Sequence, residues 1–255
     1  MAEKNKPARR TGGVLAPIAA GLLILLKSGK FLTTIASMLF SMVVYALIFG
    51  PSYAVGFVLL IFVHEMGHFL AARQRGLAVG APTFIPFVGA WIQLKEMPHN
   101  VETEAYVGIA GPIMGSLGAL VCYWIGRAHG NDLFLALAYT GFFINLFNLL
   151  PLSPLDGGRI TAILSPRIWL LGAPILVALF FWRPTPILLL IAILSIPSLI
   201  KAWRFNPADP ANAAYYAASP ALRVQYGFLY LALTGFLAVM MGEVHQSLGH
   251  LVRPH

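Results

Sequence analysis

The chain has 255 residues, 58% of them apolar and 10% charged, with a mean hydropathy of +0.78. Soluble domains carry about 25% charged residues, so this composition excludes an ordinary soluble domain and predicts an all-α polytopic membrane protein. The single cysteine, Cys122, excludes both a disulfide framework and a thiolate-bound metal.

In chain order, Met1 to Gly13 is polar and basic, as a cytoplasmic tail is. Val14 to Leu26 is apolar but short and broken by Pro17 and Gly21, which reads as interfacial or re-entrant, or as a retained signal. Spans are expected at Phe31–Phe49, Tyr53–Ala72, Ala105–Ile125, Leu133–Leu150, Ile168–Trp182, Pro186–Trp203 and Tyr226–Met241, about six to seven transmembrane helices in all. Between the second and third lies Ala81 to Lys95, rich in β-formers and interrupted by Pro86 and Gly89. It is too short to span and reads as a short re-entrant β segment buried against protein. Gly111, Gly115 and Gly118 in the third span permit close helix approach, and packing alone explains them. The units are then residues 1–30, a basic tail and interfacial segment; 31–165, a catalytic membrane core; and 166–255, C-terminal helices and tail.

Loop charges orient the set. With the N-terminus in the cytoplasm and seven alternating spans, fourteen of the seventeen Lys and Arg fall inside; only Arg127, Arg183 and Arg253 fall outside. The bias accounts for the net charge of +8 without nucleic acid as a partner. Trp124, Trp169, Trp182 and Trp203 sit at span ends, where an aromatic belt places them.

The chemistry centres on His64-Glu65-Met66-Gly67-His68, inside the second span. One helical turn apart, His64 and His68 share a face and can reach one cation, while Glu65 stays near enough to act on water beside it. This is the H-E-x-x-H geometry of a zinc hydrolase. Chance gives such a motif odds on the order of one in a hundred in a chain this long. Ionisable residues inside an apolar span cost about 2.5–3.5 kcal/mol each on insertion scales, so they mark function. A catalytic zinc takes three protein ligands. Of the nine acids, Glu65 belongs to the motif and Glu3 to the tail, and the others lie in polar loops or on the far side, which leaves Asp156, just after Pro151 and Pro154 and before Gly157-Gly158. An ion pair between Asp156 and Arg159 is the alternative use of that carboxylate. His99, His129, His245, His250 and His255 read as solvent-exposed.

The H-E-M-G-H helix, the later Asn148-Leu149-Leu150-Pro151 through Leu155-Asp156-Gly157, and the order of spans between them resemble the site-2 protease family of intramembrane metalloproteases. The resemblance covers roughly Tyr53 to Arg159. It implies one Zn2+ per chain held by His64, His68 and Asp156, Glu65 as the catalytic glutamate, and Asn148 as a residue that helps hold substrate or oxyanion. Phe84, Ile85, Pro86, Phe87, Val88, Gly89, Ala90, Trp91 and Ile92 look like the family's re-entrant β segment, implied to bind substrate. Gly111-Pro112 matches the family's G-P motif, whereas Gly115 stands where many members have a polar residue, so no catalytic role is carried there. Many members also have a PDZ or CBS domain; no stretch here is long enough for either, so a compact member is expected.

The expected function is zinc-dependent cleavage of a peptide bond within or next to a transmembrane segment of a membrane-protein substrate. The expected location is a prokaryotic cytoplasmic membrane, with the N-terminus cytoplasmic and the active site in the inner half of the bilayer. The rival is a non-catalytic membrane metal-binding protein or metal transporter on the same scaffold. A transporter needs acidic or histidine residues along a path, and this sequence has one cluster near one side.

Overall fold

The computed structural model describes residues 29–87, 89–91 and 97–252. Of the tail and interfacial segment expected over residues 1–30, residues 1–28 lie outside the described residues, as do Val88 and Ile92, and residues 29 and 30 already belong to the first helix. Helix α1 (Gly29–Phe49) turns at Gly50 into helix α2 (Pro51–Gln74). The turn needs φ of 85° at Gly50, which glycine adopts without steric cost. Pro51 then opens α2, where its missing N–H is one the helix leaves unpaired anyway.

A two-stranded antiparallel hairpin follows: β1 (Thr83–Ile85) and β2 (Gly89–Trp91), with Phe84 opposite Ala90. Helix α1 mounts this hairpin with hydroxyls from one face. Thr34 Oγ1 donates to the Pro82 carbonyl at 2.6 Å, Ser37 Oγ accepts the Phe84 N–H at 3.1 Å, and Tyr45 Oη accepts the Phe87 N–H at 2.7 Å.

Helix α3 (Val101–His129) is capped by Asn100, whose side chain accepts the Thr103 N–H, and α4 (Asp132–Asn148) by Asn131 in the same way. An irregular turn leads to α5 (Asp156–Thr161). A 3₁₀ turn (Pro166–Ile168), α6 (Trp169–Trp182), α7 (Pro186–Trp203), the short α8 (Pro210–Tyr215) and α9 (Pro220–Val252) complete the described chain.

Helices α1, α2, α3, α7 and α9 are long and apolar enough to cross a bilayer. The expected fourth and fifth spans are shorter, 17 residues for α4 and 14 for α6. At 1.5 Å per residue these reach about 26 and 21 Å, against a hydrocarbon core of roughly 30 Å. The chain is an integral membrane protein of mostly helical architecture, with one small sheet among the described residues.

The ends of the bundle identify themselves by polar contacts. At one end Arg75 pairs with Glu102 at 3.2 Å, Tyr106 donates to Gln74, and Arg167 donates to the Phe205 carbonyl. At that end Tyr215 also donates to Glu104 at 2.8 Å. Burial, with the Glu104 carboxylate beside it, holds the Tyr215 phenol well above its ordinary pKa, so it remains a donor. At the other end Tyr123 reaches Glu243 and Arg127 reaches Ser247. Successive long helices therefore alternate in direction.

The main apolar core runs through α3, α4, α5, α6 and α9, with Ile109, Phe142, Ile160, Trp169, Leu237 and Val244 in one cluster. Trp169 departs from the expected aromatic belt. It is buried and its indole N–H donates to the Gly158 carbonyl at 2.8 Å, while Trp124, Trp182 and Trp203 are exposed.

Candidate metal centre

Four helices build the site. Helix α2 presents His64 and His68 one turn apart, both buried, with Glu65 buried beside them. Helix α5 starts at Asp156, which is buried too. Gly157 and Gly158 let α5 begin hard against the preceding turn. A Cβ on Gly157 would overlap the Leu149 and Leu150 carbonyls, and one on Gly158 would overlap the Leu152–Ser153 backbone. Thr161 Oγ1 donates back to the Gly157 carbonyl at 2.7 Å and fixes the first turn.

Both histidine rings are oriented by a partner at Nδ1. His68 Nδ1 lies 2.8 Å from the Val107 carbonyl of α3, which can only accept, so Nδ1 carries the hydrogen. His64 Nδ1 lies 2.8 Å from Asn145 Oδ1 of α4, and the Asn145 amide nitrogen donates to the Gly141 carbonyl at 2.7 Å. The amide orientation follows from that second bond and makes Oδ1 the acceptor. In the neutral rings both Nε2 atoms are then bare.

Those bare nitrogens converge on one oxygen. His64 Nε2 and His68 Nε2 stand 3.1 and 3.2 Å from Asp156 Oδ2, and 3.1 Å from each other. Three electron-rich atoms at such distances repel unless a cation sits among them. Zinc bonds of about 2.0–2.2 Å in a tetrahedron put donors roughly 3.3 Å apart, so the donor triangle fits Zn2+ in both size and chemistry. Among the described residues these are the side chains grouped to hold a metal. Glu65 is not one of the converging donors. The alternative ion pair is not formed: among the described residues Asp156 pairs with the histidines, not with Arg159.

Helix α3 supplies the space. A Cβ on Gly111 would overlap His68 Nε2, and one on Gly115 would overlap Asn145 Oδ1 and stand 2.8 Å from its Cγ. These glycines are not explained by packing alone, as the sequence suggested; they make room for polar side chains of the site. Gly118, further along, meets only Leu60 and Val63 at 3.3 and 3.4 Å. The close α2–α3 crossing itself uses Gly67, whose Cβ would overlap the Ala110 carbonyl.

Asn145 was missed in the sequence although a signal existed, a polar amide within an apolar span. Asn148, one turn later, is half-buried at the end of α4. In the hairpin, Phe84 is buried in a cluster with Tyr45, Ala54 and Val58, whereas Ile85 and Phe87 are exposed. Pro86, Gly89 and Ala90 are half-buried, and Trp91 ends β2.

The pattern of peptidase family M50 matches residues 52–132, so Asp156 lies beyond the match. Zinc metalloprotease MJ0392 of Methanocaldococcus jannaschii is 32% identical over 124 residues, 45% of this chain and 36% of that one. Zinc metalloprotease Rip3 of Mycobacterium tuberculosis is 30% identical over 168 residues, 60% of this chain and 42% of that one. The chloroplast zinc metalloprotease EGY2 of Arabidopsis thaliana is 27% identical over 146 residues, 40% and 26% of the two chains. The names of the latter two mark the assignment as provisional. The chain spans less than half the length of these relatives. The matched relatives are named for zinc, and one Zn2+ fits the His64–His68–Asp156 donor set. Over residues 52–132 this chain is similar to peptidase family M50, the site-2 protease family, and the relatives it matches are named zinc metalloproteases.

Proposed function

We propose that the chain is a zinc-dependent endopeptidase that cleaves peptide bonds within or next to transmembrane segments of membrane proteins. The observation that carries this reading is a His–His–Asp donor triangle, buried among membrane-length helices, that leaves the adjacent Glu65 outside it. Zn2+ bound there supplies a Lewis acid that polarises a carbonyl and acidifies water. Glu65 takes the proton from the attacking water and returns it to the amine nitrogen as the C–N bond breaks. Asn148, at the mouth of the turn before Asp156, holds substrate or the developing oxyanion.

A transmembrane substrate must be unwound before its carbonyls are accessible, and the hairpin offers one edge to receive it. The Phe84 N–H points away from β2 and is already taken by Ser37, so α1 occupies the outer edge of β1. Phe84 and Ala90 face each other in register, so the Ala90 N–H and carbonyl point outward from β2. Substrate pairs there, flanked by Ile85 and Phe87. In this reading the N-terminus is cytoplasmic, the membrane is a prokaryotic cytoplasmic membrane, and the site lies in the inner half of the bilayer. The metal site's position near the Arg75–Glu102 end of the bundle agrees with that depth. A metal carrier would need further donors along a path, and among the described residues no second ligand group exists.

Glu65→Gln tests the reading. Zinc stoichiometry should stay at the wild-type level while cleavage of single-span substrates in detergent falls by roughly 10²–10⁴-fold. Normal cleavage by the variant would end the mechanism, and loss of zinc would make Glu65 a ligand.

A further inference from the structure

A second site lies away from the metal, where the exposed apolar face of α7 ends. Leu189, Ile193, Ile196 and Ile200 point outward along that helix and lead to Trp203, which is 79% exposed. Lys201 and Arg204, both exposed, ring that end, as interfacial aromatic and basic residues do. Directly beyond is a cleft of about 420 Å³ between the Ser165–Arg167 turn and the segment from Phe205 to Arg223. That volume falls within the roughly 300–1,000 Å³ of small-molecule sites.

The cleft lining is polar and cationic and contains no carboxylate: Ser165, Arg167, Asn212, Tyr216 and Arg223 among apolar walls. Arg223 is held entirely by carbonyls, those of Ile163, Leu164, Tyr216 and Ala218. Arg167 is exposed and gives one N–H to the Phe205 carbonyl at 3.1 Å. Lys201 Nζ stands 5.7 Å from the ring centroid of Tyr216, on the cleft wall. The nearby acids are committed elsewhere. Asp209 caps α8 through the Ala211 and Asn212 N–H groups, and Glu104 accepts from Tyr215. Among the described residues, none of Arg167, Lys201, Arg204 and Arg223 is in an ion pair.

We propose that this cleft binds the phosphate of an anionic membrane phospholipid, whose acyl chains lie along the exposed face of α7. Arg167 and Lys201 reach the phosphate, and the fixed charge of Arg223 supports it from the wall. The site does not depend on the peptidase reading. Arg223 bonds the Ile163 and Leu164 carbonyls just beyond α5, which fixes its charge in the cleft wall.

The test uses the full chain in mild detergent, titrated with phosphatidylglycerol, phosphatidylcholine or inorganic phosphate, with bound lipid counted by native mass spectrometry. Phosphatidylglycerol should saturate at one high-affinity molecule per chain, and phosphatidylcholine should not. Basic groups near an anionic headgroup contribute about fivefold each, so Arg167→Gln with Lys201→Gln should weaken binding roughly twenty- to thirtyfold. Arg127→Gln with Arg183→Gln, away from the cleft, should leave it unchanged. A lipid-free melting temperature equal to wild type shows that the cleft variant folds. Equal binding of the two lipids, or equal loss in both double variants, would overturn the proposal. Inorganic phosphate binding as tightly as the lipid would overturn the lipid assignment.

Discussion

Replacing Gly111 by alanine adds one methyl group, in a helix that favours alanine by about 1 kcal/mol over glycine. By helix propensity alone the change stabilises. The site reverses the sign. The new Cβ would overlap His68 Nε2 and Cε1 and stand 2.7 Å from Cδ2. Carbon contacts settle near 3.5–4.0 Å, so the imidazole must retreat by roughly 1 Å. It has nowhere to go, because its Nδ1 is held 2.8 Å from the Val107 carbonyl of the same α3. A metal ligand tolerates about 0.2 Å, so Gly111→Ala removes a ligand in effect without touching one. Loss of ligand-orienting partners alone costs 10–100-fold in metal affinity, and the expected drop is at least that, about 1.4–2.8 kcal/mol. Gly118→Ala is the control on the same helix, since its Cβ meets only the tips of Leu60 and Val63 at 3.3 and 3.4 Å. Competition with a chromogenic chelator on the purified proteins measures both affinities. Wild-type zinc affinity in Gly111→Ala would refute the placement of His68 Nε2 as a metal donor.

Three further expectations follow from the same geometry. Asn145→Leu should keep the fold but lower zinc affinity 10–100-fold, because the hydrogen on His64 Nδ1 loses its acceptor; chelator competition reads it directly. Ala90→Pro removes the outward N–H of β2, so cleavage should fall at least two- to tenfold at unchanged zinc content, the worth of one hydrogen bond; full activity would argue against pairing on that edge. A reporter fused after Arg75 should read cytoplasmic and one after Arg127 extracytoplasmic; the same side for both would remove the assigned orientation.

The long apolar helices were legible because lipid imposes length and composition on them; Pro186–Trp203 was placed at both of its observed ends. His64, His68 and Asp156 were legible as candidate donors because ionisable residues in apolar surroundings are rare, and they come together as a group that could hold a metal. What surrounds them was not. A glycine in a span shows only that something lies close, and Gly111 and Gly115 face a ring and an amide rather than another backbone. Asn145 and Asn148 are one turn apart on one helix, so sequence alone does not choose which meets His64. Trp169 stands at a helix terminus as the exposed Trp182 and Trp203 do, but α6 starts against the α5 backbone, and the Gly158 carbonyl captures the indole. The hairpin's β character was readable from Phe84 to Trp91, but its attachment to α1 through Thr34, Ser37 and Tyr45 depends on contacts 42 to 48 residues apart.

The convergence of the two imidazoles has a consequence for the order in which this protein is made. His68 is oriented from 39 residues downstream, His64 from 81, and the shared carboxylate arrives from 88. While the chain is being inserted, α2 can enter the membrane with both histidines present and still have no acceptor for either Nδ1 and no third ligand. Only when α3, α4 and the first turn of α5 have docked does a metal-binding triangle exist. Assembly of the donor triangle is thus a late event, and a chain stalled at any earlier stage carries the motif without the set of donors that could hold the ion.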